Sequence, residues 1–174
     1  MVPGKKSSIK LLSPSAVGWS SVYRTIRPGG PVIIFTIGYE QRKGAELISM
    51  LRGAGVGLLA DIREKPMSRL SDFRGKALRG FCETAGIEYR HWSELGSTEK
   101  LRDHLKDTGD FKRFEAGVRR HILRQGKPAL AELAAAARHK PTALLCYERL
   151  HEECHRSTVA EMLADMLDAG LVAL

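Results

Sequence analysis

Short β-branched apolar runs alternate with amphipathic stretches along most of this chain, and that alternation restricts its fold more than any other feature. The first run, Val32-Ile33-Ile34-Phe35-Thr36-Ile37, follows Pro31 and closes at Gly38. It lacks polar alternation, the pattern of a strand covered on both faces. Residues 41–54 then place Leu47, Ile48, Leu51 and Ala54 on one helical face before Gly53 and Gly55 interrupt it. A second run spans residues 56–62 and leads into Asp61-Ile62-Arg63. Over residues 75–86, Leu78, Phe81, Cys82 and Ala85 share a face, with Gly86 suited to ending the helix. Residues 87–91 and 142–147 are read as a third and a fourth strand. Between them, residues 99–139 are read as one long helical crossover, with Asp110 as a cap and Pro128 as an opener. A final helix carries Val159, Met162, Leu163, Met166 and Leu167 on its apolar side. The expected fold is α/β, a mostly parallel sheet of about four to five strands with helices on both faces.

A length of 174 residues suits one domain. Residues 1–30, rich in Ser, Gly, Pro and Lys, are read as a basic, partly flexible arm in which Trp19, Val22 and Tyr23 can dock; residues 31–174 are read as a single domain. No apolar run approaches the roughly 18 uncharged residues of a membrane span. Residues 9–12 are too short a stretch for a signal peptide. Three cysteines, an odd number, argue against a disulfide framework. A soluble cytoplasmic protein without a membrane partner is therefore expected. The 28 basic against 20 acidic residues give +8, a balance that attracts polyanions such as nucleic acid. Lys65, Arg69, Arg74, Lys76 and Arg79 concentrate it in one segment, and Arg119 and Arg120 in another. Phe73, Tyr89, His91 and Trp92 offer surfaces for stacking unpaired bases.

Ligands of open α/β sheets bind beyond the carboxyl ends of the strands, and the polar residues collect there. Gly38-Tyr39 follows the first strand, Asp61 and Arg63 close the second, His91 to Glu94 follow the third, and Cys146 to Glu148 close the fourth. The densest segment is Cys146-Tyr147-Glu148-Arg149-Leu150-His151-Glu152-Glu153-Cys154-His155-Arg156-Ser157. With Thr36-Ile37-Gly38-Tyr39-Glu40 and Asp61-Ile62-Arg63-Glu64-Lys65-Pro66, it resembles DUF488 over residues 33–165. The resemblance implies a small α/β domain with these three blocks as its signature. It implies no particular activity.

The residues themselves support four kinds of chemistry. Arg156 and Ser157 at a helix N-terminus, with Arg63 beside them, suit a phosphate. Cys146 or Cys154 beside His155 suits a nucleophilic thiol, although Glu152 stands where phosphatase- and rhodanese-type loops carry an arginine. Cys146, Cys154 and His155, together with Asp61, offer mixed sulfur, nitrogen and oxygen donors to a metal, without a standard zinc spacing. Asp61 or Glu148 suits proton transfer, or the two together stabilisation of a sugar carbon. His151-Glu152-Glu153-Cys154-His155 also satisfies H-E-x-x-H, read as coincidence because it falls in a loop entering the last helix. The leading expectation is a nucleic acid or phosphorylated nucleotide bound at the strand ends. A small-molecule enzyme using a Cys/His thiol or metal site and a non-catalytic interaction module are the alternatives. No cofactor is specified.

Overall fold

A computed structural model of the chain describes Leu11–Leu12 and residues 32–174. Most of the expected arm, including Trp19, Val22 and Tyr23, lies outside the described residues. A two-residue strand, β1 (Leu11–Leu12), is followed by the five strands expected at most: β2 (Ile33–Gly38), β3 (Leu58–Asp61), β4 (Glu88–His91), β5 (Thr142–Cys146) and β6 (Gly170–Ala173). All pairings are parallel, and β1 adds to the β6 edge, giving the spatial order β1-β6-β2-β5-β3-β4. Sequence reading did not anticipate β6.

Helices cover both faces. On one, α1 (Gly44–Gly53) and α2 (Gly75–Thr84) bury Leu47, Leu51, Leu78 and Cys82 against Phe35, Ile37, Leu59 and Leu145. The other is covered by helices that follow α3 (Glu99–Thr108). There α4 (Phe111–His121), α5 (Lys127–Ala137) and α6 (His155–Leu167) bury Phe114, Val118, Leu133, Val159 and Leu163 against Ile34, Leu58, Ala60 and Leu144. Removing each Leu, Ile, Val or Phe of this set from water stabilises the fold by about 1.5–3 kcal/mol, which is why neighbouring strand residues are mostly apolar although they face opposite layers.

The expected helical crossover over residues 99–139 consists of three helices, with Asp110 and Pro128 at the starts of α4 and α5 as expected. Gly109, left-handed at φ 66°, reverses the chain between α3 and α4. Asp110 then caps α4 by accepting from the Arg113 amide at 3.0 Å. A π-helical turn, Ile122–Gly126, separates α4 from α5. Among the described residues, no helix is long and apolar enough to cross a membrane.

The strand order sets the position of the site. From β2 the chain passes to β3 and β4 on one side, returns as β5 between β2 and β3, and leaves for β6 on the far side of β2. Gly38 pairs with Cys146 and Asp61 with Leu145, so three strands end at one level. This is where crossovers diverge in an open parallel sheet and leave a crevice.

Candidate functional site

Four side chains from the β5–α6 connection converge at that level. Cys146 ends β5, Glu148 lies in the following loop, Cys154 is the N-cap of α6 and His155 is its first residue. One ligating atom from each lies within 4.8 Å of the other three. Cys146 Sγ and Cys154 Sγ stand 3.5 and 3.8 Å from His155 Nδ1, and Cys146 Sγ shares a 2.9 Å hydrogen bond with Glu148 Oε2. His155 Nε2 lies 3.0 Å from the carbonyl of Ile62 just beyond β3. A carbonyl only accepts, so Nε2 carries a proton, and Nδ1, facing the sulfurs, is the atom left to bind a second proton or a metal.

Burial dominates the electrostatics of this group. It opposes a Cys146 thiolate, but the hydrogen bond from Cys154 and the charge of His155 outweigh it and hold the thiol well below its usual range. Burial and then the neighbouring Cys146 hold Cys154 well above that range, so the two thiols are driven apart. Burial, followed by Cys146, pushes Glu148 up to about 7. His155 is pulled down by burial yet rises to about 9, chiefly through Cys146. Without an ion, these directions favour a thiolate on Cys146 paired with a protonated His155.

The same atoms fit a metal. Around a tetrahedral ion with sulfur at about 2.3 Å and nitrogen at about 2.0–2.1 Å, neighbouring S and N donors stand about 3.6 Å apart. Both sulfur–nitrogen separations in the cluster are close to that value. Glu148 is the partly exposed member and the one whose contact is too short for a shared ion, so it must rotate slightly to take part. The bond from His155 to Ile62 is the kind of outer contact that orients a ligating histidine.

Asp61 and Arg63 form a separate network. Asp61 is fully buried and receives Arg63 Nε at 2.8 Å, Arg63 Nη2 at 2.5 Å and the Tyr89 hydroxyl at 2.7 Å. Arg63 Nη1 donates to the Tyr39 hydroxyl at 3.0 Å and to the Phe73 carbonyl at 2.9 Å. Four of the five guanidinium donors are thus used inside the protein. Although burial opposes its charge, Asp61 raises the Arg63 pKa above its ordinary value. Asp61, considered from sequence as a ligand or proton carrier, has both oxygens engaged and lies outside the four-residue cluster. Tyr39 stacks on Phe73 with ring centroids 4.4 Å apart, so Phe73 and Tyr89 serve as supports rather than free stacking surfaces.

The other residues at this level brace the loop. Arg156, 1% exposed, donates through Nη1 to the Glu148 carbonyl and through Nη2 to that of Arg149 at 2.9 Å. Ser157 Oγ donates to the Cys154 carbonyl at 2.7 Å, and the Arg156 amide to Cys154 Sγ at 3.5 Å. The α6 N-terminus is therefore engaged by the protein itself. At Gly38, an added Cβ would lie 1.8 Å from the Glu148 carbonyl oxygen, so the loop crosses directly over a position that only glycine leaves open. The two histidines of H-E-x-x-H do not share a helix: His151 sits in the short turn His151–Glu153, its Nδ1 3.0 Å from Thr36 Oγ1, while His155 begins α6.

A cavity of about 270 Å³ opens beside Cys146, Glu148 and His155, bounded also by Tyr39, Arg63 and Lys65. Glu64, Met67, Ser97, Arg102 and Tyr147 complete its walls, with Arg102 paired to Glu64 at 2.8 Å; sequence reading missed Met67, Ser97 and Arg102, which lie outside the three signature blocks. Arg69, Arg74, Lys76 and Arg79 are exposed on the segment after β3, where Arg79 lies over the Tyr89 ring. Arg119 and Arg120 diverge: Arg119 pairs with Glu161 at 3.1 Å, and Arg120 faces a different cavity.

Among known proteins, a family model described as "Domain of unknown function DUF488" matches residues 43–163. No curated protein and no solved structure matches the chain.

Proposed function

The chain belongs to the DUF488 family, and within that family we propose that it is a metal-dependent enzyme, with a divalent ion held by Cys146, Cys154 and His155 serving a small polar molecule in the adjoining cavity. The observation that carries this reading is the mutual approach of four donor atoms to within 4.8 Å, with His155 oriented from behind by the Ile62 carbonyl. Two thiolates and an imidazole suit zinc or a similar transition metal. Glu148 is the exchangeable partner. With an ion bound, Glu148 would complete the donor set, and the ion would supply Lewis-acid polarisation of an oxygen entering from the cavity, beside which the Glu148 carboxylate would accept a proton. A polarised oxygen at this point lies against the open cavity, within a site walled by Tyr39, Arg63 and Lys65.

A phosphate held by Arg63 and Arg156 is less well supported, because four Arg63 donors and both Arg156 terminal nitrogens already serve internal acceptors, although Arg156 Nε has no partner among the described residues. A nucleophilic Cys146 has one observation in its favour, the approach of His155 Nδ1 to 3.5 Å. One experiment separates these readings. The full chain is reconstituted with zinc, iron, manganese or cobalt, freed of excess ion, and assayed for bound metal and for alkylation of Cys146. The expected result is one tightly bound ion per chain, lost in Cys146→Ser, Cys154→Ser and His155→Ala, with Cys146 protected from alkylation. A folded chain that retains none of these ions while Cys146 alkylates rapidly would replace the metal with the thiol.

A further inference from the structure

A second cavity, about 590 Å³, lies between α3, α4 and the π turn, and its lining contains Lys100, His104, Arg113, Arg120, His121 and Arg124 but no carboxylate. We infer that this cleft binds a ligand through two or more of its phosphate groups. Two nearby acids are occupied elsewhere: Asp103 pairs with Lys106 at 3.1 Å and Asp110 caps α4, while Glu99 and Asp107 are not part of the lining. Glu115 is turned toward Glu161 and Arg119. None of Lys100, Arg113, Arg120 and Arg124 forms an ion pair with another described residue. Four permanent cations around one concavity repel one another, an arrangement that a polyanion relieves.

Two further features belong to the lining of the same cleft. His104 Nε2 is buried and has no hydrogen-bond partner among the described residues, a cost that a ligand oxygen or a bridging water removes. The π turn Ile122–Gly126 brings Arg124 and Gln125 to the wall. Such turns are rare and recur at functional sites because they redirect side chains. Guanidinium groups from α4 and from the π turn can each take two oxygens of a phosphate in parallel. The lining holds no Phe, Tyr or Trp, and its cations outnumber its two imidazoles, so recognition falls chiefly on the phosphates. A polyphosphorylated small molecule and a polynucleotide backbone present the same chemistry.

The test uses the full chain at about 150 mM salt, where exposed charges are screened beyond about 8 Å. Tripolyphosphate is titrated by calorimetry, and a fluorescein-labelled single-stranded 12-mer RNA by anisotropy. At least one probe is expected to bind, and Arg113→Gln/Arg120→Gln to weaken it about tenfold or more. Lys100→Gln/Arg124→Gln, drawn from other walls of the cleft, should do the same if the first pair perturbs folding. Tripolyphosphate alone would indicate a small polyphosphate and RNA alone a polynucleotide; either supports the site. Binding of neither probe overturns it, as does equal weakening by the control pair Arg52→Gln/Arg138→Gln, which lies outside the cleft. The metal content of the β5–α6 cluster is independent of every one of these outcomes.

Discussion

Gly38 shows how a residue without a side chain shapes the site. The β2–β5 ladder continues past its strands, with the Tyr39 and Glu40 amides donating to the Cys146 and Tyr147 carbonyls. The loop bearing Glu148 therefore folds back over Gly38, and the atoms that a Cβ there would meet are all backbone. Gly38→Ala is expected to cost about 1–3 kcal/mol through overpacking that no side-chain rotation relieves. It should also move Glu148 away from the cluster while leaving the two sulfurs and His155 in place. Chemical denaturation and metal titration read the two effects, and unchanged stability would mean that the loop does not press on this position. Much of the residue-level site was visible in sequence, since Cys146, Glu148, Cys154 and His155 lie within ten positions of one another. Their orienting partner was not, because it is the backbone carbonyl of Ile62, which no residue type advertises. The roles of Arg63 and Arg156 were hidden for a similar reason: the sequence reveals a guanidinium, but not that carbonyls of Phe73, Glu148 and Arg149 occupy it.

At the scale of elements, β2 and β5 were legible because burial on both faces demands unbroken apolar runs. β6 was not, because Gly170–Ala173 is too short to establish a period. It nevertheless pairs with β2 and sends Leu171 into one layer and Val172 into the other. Leu171→Ala should cost about 2–5 kcal/mol by leaving a cavity. Val172→Ala should cost less, in line with about 0.8 kcal/mol per methylene-sized group lost. Because the two side chains share no layer, the double variant should equal their sum to within about 0.5 kcal/mol in equilibrium unfolding. A large coupling would show that the strand responds as a unit instead. Residues 99–139 were legible as a helical crossover, but not where it bends. Their helical period is real, but Gly109 and the π turn divide it into three helices, and the redirected faces are what create the basic cleft.

Across the whole molecule, the Cys146–His155 cluster joins parts of the sheet that are distant in sequence. Cys146 belongs to β5, Cys154 and His155 open α6, and the carbonyl orienting His155 follows β3. An ion at this point would fasten the start of α6 to the ends of two strands, and its binding energy would add to folding because the unfolded chain has no preformed site. A ligand held at a hundred times its Kd stabilises the folded state by about 2.7 kcal/mol. For 150–250 residues, each kcal/mol moves the melting temperature by about 2–4 °C. Chelation should therefore lower melting of the metal-loaded chain by about 5–10 °C. Amide exchange should accelerate first at residues 155–158, before the centres of β2 and β5. Cys146→Ser/Cys154→Ser should melt at one temperature with or without chelator. If chelation removes the ion yet leaves both melting and exchange unchanged, the ion is held elsewhere, and the cluster is left with its thiolate–imidazolium pair as its working chemistry.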